Sequence, residues 1–305
     1  MKGLDLCEGY YRACGETMIR AAFPELDNRI AVGLVGEGSD CFGFDDEVSR
    51  DHDWGPGFCL WLESDDYRTF GPALQSEYEK LPESFEGYRR IPSRWGKSRV
   101  GVFEIGDFYR RFIGTTAAPD DPVKWFYLPE PNLAACTNGK VFDDPLGRFS
   151  AVREEILSFF PEDVRLAKIA SRCVAAAQAG QYNYPRTAHR NEPFATQYAV
   201  IKFASEIISL VFLLNRRFCP FYKWSHRAVR SLPILGDSVF CRITELITET
   251  DVSRKTGLIE QISSDIIAEI RQQQLSSDGS DFLLDHVGEI KKKIFDPAIK
   301  RLVGL

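Results

Sequence analysis

Residues 30–62 read IAVGLVGEGSDCFGFDDEVSRDHDWGPGFCLWL, two apolar runs joined by a polar loop, and the rest of the chain is arranged around them. Ile30 to Val35 is apolar and rich in β-branched residues, the composition of a buried strand, and Phe58 to Leu62 reads the same way. Asp51-His52-Asp53 stands before the second run. Side chains two apart on an extended backbone project to the same side, so Asp51 and Asp53 are expected to converge and His52 to turn away and pack. Two carboxylates that close repel each other unless a divalent cation lies between them, and Mg²⁺, which keeps waters and takes phosphate oxygens, suits such a pair. Gly38 has no side chain, so backbone N–H groups there can approach a phosphate, and Ser39 adds a hydroxyl donor. These are the pieces of a phosphate-plus-metal site.

The order of apolar strand, Gly-Ser, loop, Asp-x-Asp and second strand resembles the nucleotidyltransferase superfamily related to DNA polymerase β, which includes the aminoglycoside nucleotidyltransferases. That resemblance implies a third acid on a later, neighbouring strand. Glu104, in the strand-like run Val100 to Ile105, fills the position, with Asp107 just beyond it. The chain departs from the commonest pattern in three places: Glu replaces Asp as third acid, Arg50 lengthens the loop, and Gly55-Pro56-Gly57 precedes the second strand.

Further on, Gly180-Gln181-Tyr182-Asn183-Tyr184-Pro185-Arg186, Arg190-Asn191-Glu192, Leu214-Asn215-Arg216-Arg217 and Pro220-Phe221-Tyr222-Lys223-Trp224 resemble the bacterial family DUF4037. Its members join a nucleotidyltransferase-like domain to a helical one. Taken together, the resemblances imply catalytic and metal-holding roles for Asp51, Asp53 and Glu104, with one or two Mg²⁺ ions. They imply a triphosphate grip by Gly38, Ser39 and Lys223. The expected reaction is transfer of a nucleoside monophosphate, AMP from ATP in the first instance, to a hydroxyl on a small-molecule acceptor, with Glu192 or Glu104 as base. Tyr182, Asn183, Arg186, Arg190 and Glu192 are expected to line an acceptor cleft; Arg186 and Arg190 lie one helical turn apart, a spacing that suits an anion. Two other classes fit the same residues: a nucleotide sensor that transfers nothing, and an enzyme that modifies a protein side chain.

Composition narrows the choice. A length of 305 residues allows two domains with their own cores. A net charge of −6 counts against general nucleic-acid binding, which rests on phosphate contacts. The longest rich apolar run, Ile207 to Leu214, is far short of a membrane span, and the N-terminal residues lack an apolar stretch of signal-peptide length, so a cytoplasmic protein off the membrane is expected. The eight cysteines include no C-x-x-C pair, which argues against zinc and for free thiols.

The expected fold class is α+β: a mixed sheet with flanking helices in a catalytic domain over 1–148, then an all-α bundle over 149–305 that binds substrate and nucleotide. In the first part, helices are expected over Gly9–Phe23, Tyr67–Lys80 and Phe108–Phe112, an irregular stretch near Pro82 and Pro92 up to Trp95, and a short strand at Val141-Phe142. Four prolines between Ala117 and Pro131 mark that segment as mostly extended or loop, and Asp45-Asp46-Glu47 reads as a solvated acidic loop. From Phe149 onward helical periodicity predicts helices at 149–160, 161–179, 192–216, 221–232, 237–249, 251–274 and 280–302.

Overall fold

The two apolar runs form the central pair of a four-stranded sheet in the computed structural model, which describes residues 1–94, 96 and 98–304. Trp95, where the expected irregular stretch ends, lies outside the described residues. β1 (Ala31–Leu34) and β2 (Cys59–Leu62) run antiparallel, with Ala31 opposite Trp61 and Gly33 opposite Cys59. A small hairpin, β3 (Ser84–Phe85) and β4 (Tyr88–Arg89), turns on Glu86 and Gly87, both at positive φ. β5 (Gly101–Glu104) lies parallel to β2, and β6 (Lys140–Asp143) antiparallel to β1, giving the order β5-β2-β1-β6. Every residue of β1 and β2 is buried, as befits strands covered on both faces.

The helices, in chain order, begin with α1 (Gly3–Tyr10) and α2 (Glu16–Ala22), joined by a π-helical turn over Tyr11–Gly15, then α3 (Ser64–Tyr78) and α4 (Ile105–Ile113). Tyr10, Tyr11 and Tyr78 close around the ring of Phe58 at centroid distances of 5.7, 5.4 and 5.0 Å. The proline-rich segment expected as loop is instead two short helices, α5 (Pro122–Tyr127) and α6 (Glu130–Thr137). Pro122 stands in the first turn of α5, where its missing N–H costs nothing, and Asp121 caps that turn by accepting from Val123 N at 2.8 Å.

The chain divides into two compact units: 1–118 with 132–158, and 119–131 with 159–305. The expected boundary near 148 falls before α7 (Arg148–Leu157), yet α7 belongs to the first unit. Phe149 explains this. It is fully buried, stacks on Trp61 at 3.8 Å and offers its carbonyl to the Tyr109 hydroxyl at 3.0 Å. Burying such a ring is worth roughly 2–3 kcal/mol.

The second unit is helical throughout, apart from its connections. α8 (Glu162–Ala176) runs through a π-helical segment, Ala177–Asn183, into α9 (Tyr184–His189); α10 (Pro193–Leu214) packs along them. Gly180 permits the approach, since a Cβ there would fall 2.3 Å from the Phe203 ring. α10 is long and apolar enough to cross a membrane by length and composition, but 72% of its most apolar window is buried inside the protein. α11 (Tyr222–Val229), α12 (Gly236–Thr248) and α13 (Val252–Gln272) follow. The single helix expected over 280–302 is broken into a 3₁₀ turn at Leu283–His286, α14 (Val287–Lys292) and α15 (Pro297–Leu302), because Pro297 restarts the helix behind the Asp296 cap.

Candidate functional site

β1 delivers the chain into a bend whose two glycines, Gly36 (φ 131°) and Gly38 (φ 129°), hold a backbone conformation that side-chain-bearing residues rarely adopt. Asn138 clamps the bend: its Nδ2 donates to the Gly36 carbonyl at 2.7 Å and its Oδ1 accepts from Gly36 N at 2.9 Å. The loop then folds back, Phe44 N donating to the Ser39 carbonyl at 2.8 Å. Two of its carboxylates are buried. Asp45 accepts from Gly3 N (2.8 Å) and Trp54 Nε1 (3.0 Å), so the acidic run is not wholly solvated as expected. Asp40 pairs with Arg99 Nη2 at 2.9 Å.

Arg99 ties this loop together. Its Nη1 donates to the Asp53 carbonyl at 2.8 Å, and its guanidinium lies so close over Gly38 that a Cβ there would fall 1.8 Å from Nη2. Arg90 holds the other flank through the carbonyls of Asp53, Gly55 and Pro56, at 2.8, 2.7 and 3.2 Å.

The aspartate pair is arranged differently from expectation. Residues 51–53 form a bend, β2 begins only at Cys59, and Asp53 has φ 56°, so the two-residue period of a strand does not govern them. Asp53 is buried with both oxygens taken by Ser93, Oδ1 by its N–H at 2.8 Å and Oδ2 by its hydroxyl at 2.6 Å. Burial alone would raise its pKa; the two Ser93 bonds and the Arg99 charge outweigh it and hold the carboxyl below its ordinary range. Asp51 is exposed and pairs with His52 Nδ1 at 2.9 Å, so His52 is exposed beside it instead of packing.

Glu104 stands elsewhere on the sheet. It faces Leu62 across the β2–β5 ladder, at the end where β1 begins, whereas the Gly36–Ser39 bend and Asp53 lie at the end where β1 leaves. There it caps α4, accepting from Asp107 N at 2.6 Å and from the Ser64 hydroxyl at 2.9 Å. Asp107 is paired with Arg110. Asp51, Asp53 and Glu104 therefore do not fit Mg²⁺ as a set, and among the described residues no three acid, histidine or cysteine side chains come together to hold a metal. The positive group between Asp40 and Asp53 is the guanidinium of Arg99.

In the second unit, the Lys223 ammonium is exposed over the Trp224 ring at 5.0 Å. Arg186 stacks on Tyr182 at 3.9 Å and donates to its hydroxyl at 2.6 Å. Asn183 lines an opening of about 500 Å³ with Phe194, Tyr198 and Lys202, while Arg190 and Glu192 are exposed on the connection between α9 and α10.

A separate cavity of about 470 Å³ lies between α5, α8, α10 and α11. Arg172 donates from Nη1 to Glu206 at 3.0 Å and from Nη2 to Glu130 at 3.4 Å; Lys202 also pairs with Glu206. Glu130 is buried, its Oε1 also accepts from the Ser209 hydroxyl at 3.3 Å, and its Oε2 has no hydrogen-bond partner. The Lys168 ammonium lies over the rings of Phe126 and Phe160, at 5.7 and 4.8 Å. The sequence held a cue to these groups: Lys168 and Arg172, four residues apart, interrupt the apolar face of α8.

Residues 125–225 match the family described as "Domain of unknown function (DUF4037)". The matched segment, a third of the chain, contains every residue lining the charged cavity. Among solved structures, the chain is similar to a nucleotidyltransferase-like protein from Exiguobacterium sibiricum 255-15 at 10% identity and a TM-score of 0.38, over 92% of this chain and 80% of that one. No curated protein matches the chain.

Proposed function

We propose that the chain acts in nucleotidyl transfer, taking a nucleoside triphosphate such as ATP at the bend-bearing end of the first unit's sheet and directing its nucleoside monophosphate to a hydroxyl on a small-molecule acceptor. The observation that supports this best is the span of one guanidinium: Arg99 covers Gly38 while bonding Asp40 and the Asp53 carbonyl. The Gly-Ser bend and the aspartate loop thus share one end of a mixed sheet. A bend with bare backbone beside a planar, five-donor side chain is suited to phosphate oxygens. No step is assigned to a metal, because the expected ligands do not assemble.

The test is calorimetric titration of ATP into the wild type, Ser39→Ala and Arg99→Gln, with and without Mg²⁺, coupled to a pyrophosphate-release assay. ATP binding weakened at least tenfold by Arg99→Gln is expected; no binding to the wild type, or equal binding to all three proteins, would sink the proposal. A second reading, a nucleotide sensor without turnover, is favoured by Ser93 occupying both Asp53 oxygens. Binding without pyrophosphate release would select it.

A further inference from the structure

We propose that the charged cavity of the second unit is a binding site for a small zwitterion of the amino-acid class, a molecule with an ammonium and a carboxylate a few bonds apart. Two groups of opposite sign line the same cavity, the Glu130 carboxylate, one oxygen of which has no partner among the described residues, and the Lys168 ammonium. Glu130 is 5% exposed and lines the cavity, and its Oε2 is shut from water with nothing to accept from. Leaving such an oxygen unbonded costs about 1–3 kcal/mol, so an incoming N–H donor recovers that loss. Lys168 presents the complementary group. Its ammonium makes no ion pair among the described residues and lies over the rings of Phe126 and Phe160. Burial pulls its pKa below the ordinary lysine range, with Glu130 opposing the shift and Arg172 adding to it.

The lining carries charges of both signs, Lys168 and Arg172 beside Glu130 and Glu206, with Lys202 pairing to Glu206 from its edge. A zwitterion gives Glu130 a donor and Lys168 an acceptor at once. The volume of about 470 Å³ lies in the range of small-molecule sites, and Tyr127 and Tyr222, both largely exposed, stand at its lining with apolar faces for a side chain. This site rests on no feature of the first unit and stands or falls apart from the nucleotide proposal.

The test uses the full chain without nucleotide. Each standard L-amino acid is titrated by calorimetry and thermal shift, with propylamine and propionate as single-charge controls. At least one amino acid should bind the wild type saturably and neither control should. Glu130→Gln and Lys168→Met should each weaken that binding at least tenfold. Independently of any variant, the bound amino acid should slow reductive methylation of Lys168 in the wild type several-fold by peptide mass mapping, leaving exposed Lys223 unaffected. The proposal is overturned if no amino acid binds, if either control binds as well, or if Lys168 is modified at the same rate with and without ligand.

Discussion

A guanidinium brought out of water is tolerated only where its charge is met, and Arg99 is met by the Asp40 carboxylate and the Asp53 carbonyl, while its buried Nε has no partner among the described residues. Arg99→Met leaves Asp40, 1% exposed, as a buried charge without its partner, so a loss of about 3–5 kcal/mol is expected from urea unfolding. Asp53 gives a pH signature. Its carboxyl titrates lower in the folded protein than in the unfolded chain. The ionised form therefore stabilises the fold above the ordinary aspartate pKa of about 4, and that stabilisation is lost as pH falls through the depressed value. Melting curves of the wild type and Asp53→Asn should differ at neutral pH and converge in acid; a constant gap would show that the Ser93 bonds contribute nothing through ionisation. Asp53 was also the residue hardest to foresee. Its left-handed backbone is held by Ser93 and Arg99, some forty residues along the chain, and no local pattern of polarity reports a contact at that separation.

At the scale of elements, β1 is pressed from both sides at Gly33. A Cβ there would lie 2.5 Å from the Lys140 carbonyl and 3.0 Å from the Trp61 ring, at the point where the β1–β6 register shifts. Gly33→Ala should destabilise the first unit by roughly 1–3 kcal/mol through overpacking, with faster amide exchange along the β1–β6 ladder than along β1–β2. Gly180→Ala should have a similar cost by driving α8's π-helical continuation against Phe203, and an unchanged urea midpoint would show that the contact relaxes freely. The four strands of the main sheet and most of the long helices are legible in the sequence as apolar runs and helical periods, whereas the β3–β4 hairpin lies in the stretch expected to be irregular. α5 and α6 were not, since a proline in a first turn and a proline in a loop look alike until the capping Asp121 is seen to bond. α7 looked like the start of the bundle by its period, and only the stacking partner of Phe149 places it in the first unit.

Across the whole molecule the eight cysteines are free, with Cys7, Cys41, Cys59, Cys136 and Cys173 buried and Cys241 exposed. Burial pushes the Cys59, Cys136 and Cys173 thiols up to about 12. A thiol-reactive chromophore should therefore label Cys241 first and Cys14 and Cys219 slowly, reaching all eight only after denaturation; prompt labelling of the buried five would contradict the packing. The division of the first unit into two stretches, 1–118 and 132–158, carries a cost during synthesis. Leu34 finds its β6 neighbour at Lys140, so a wholly apolar strand waits with one row of peptide groups bare while the ribosome travels from residue 34 to residue 140, roughly 5–20 s at ordinary elongation rates. Slow codons placed within that interval should lengthen the wait and send more nascent chain into inclusion bodies, whereas the same codons after residue 158 should leave the soluble yield unchanged.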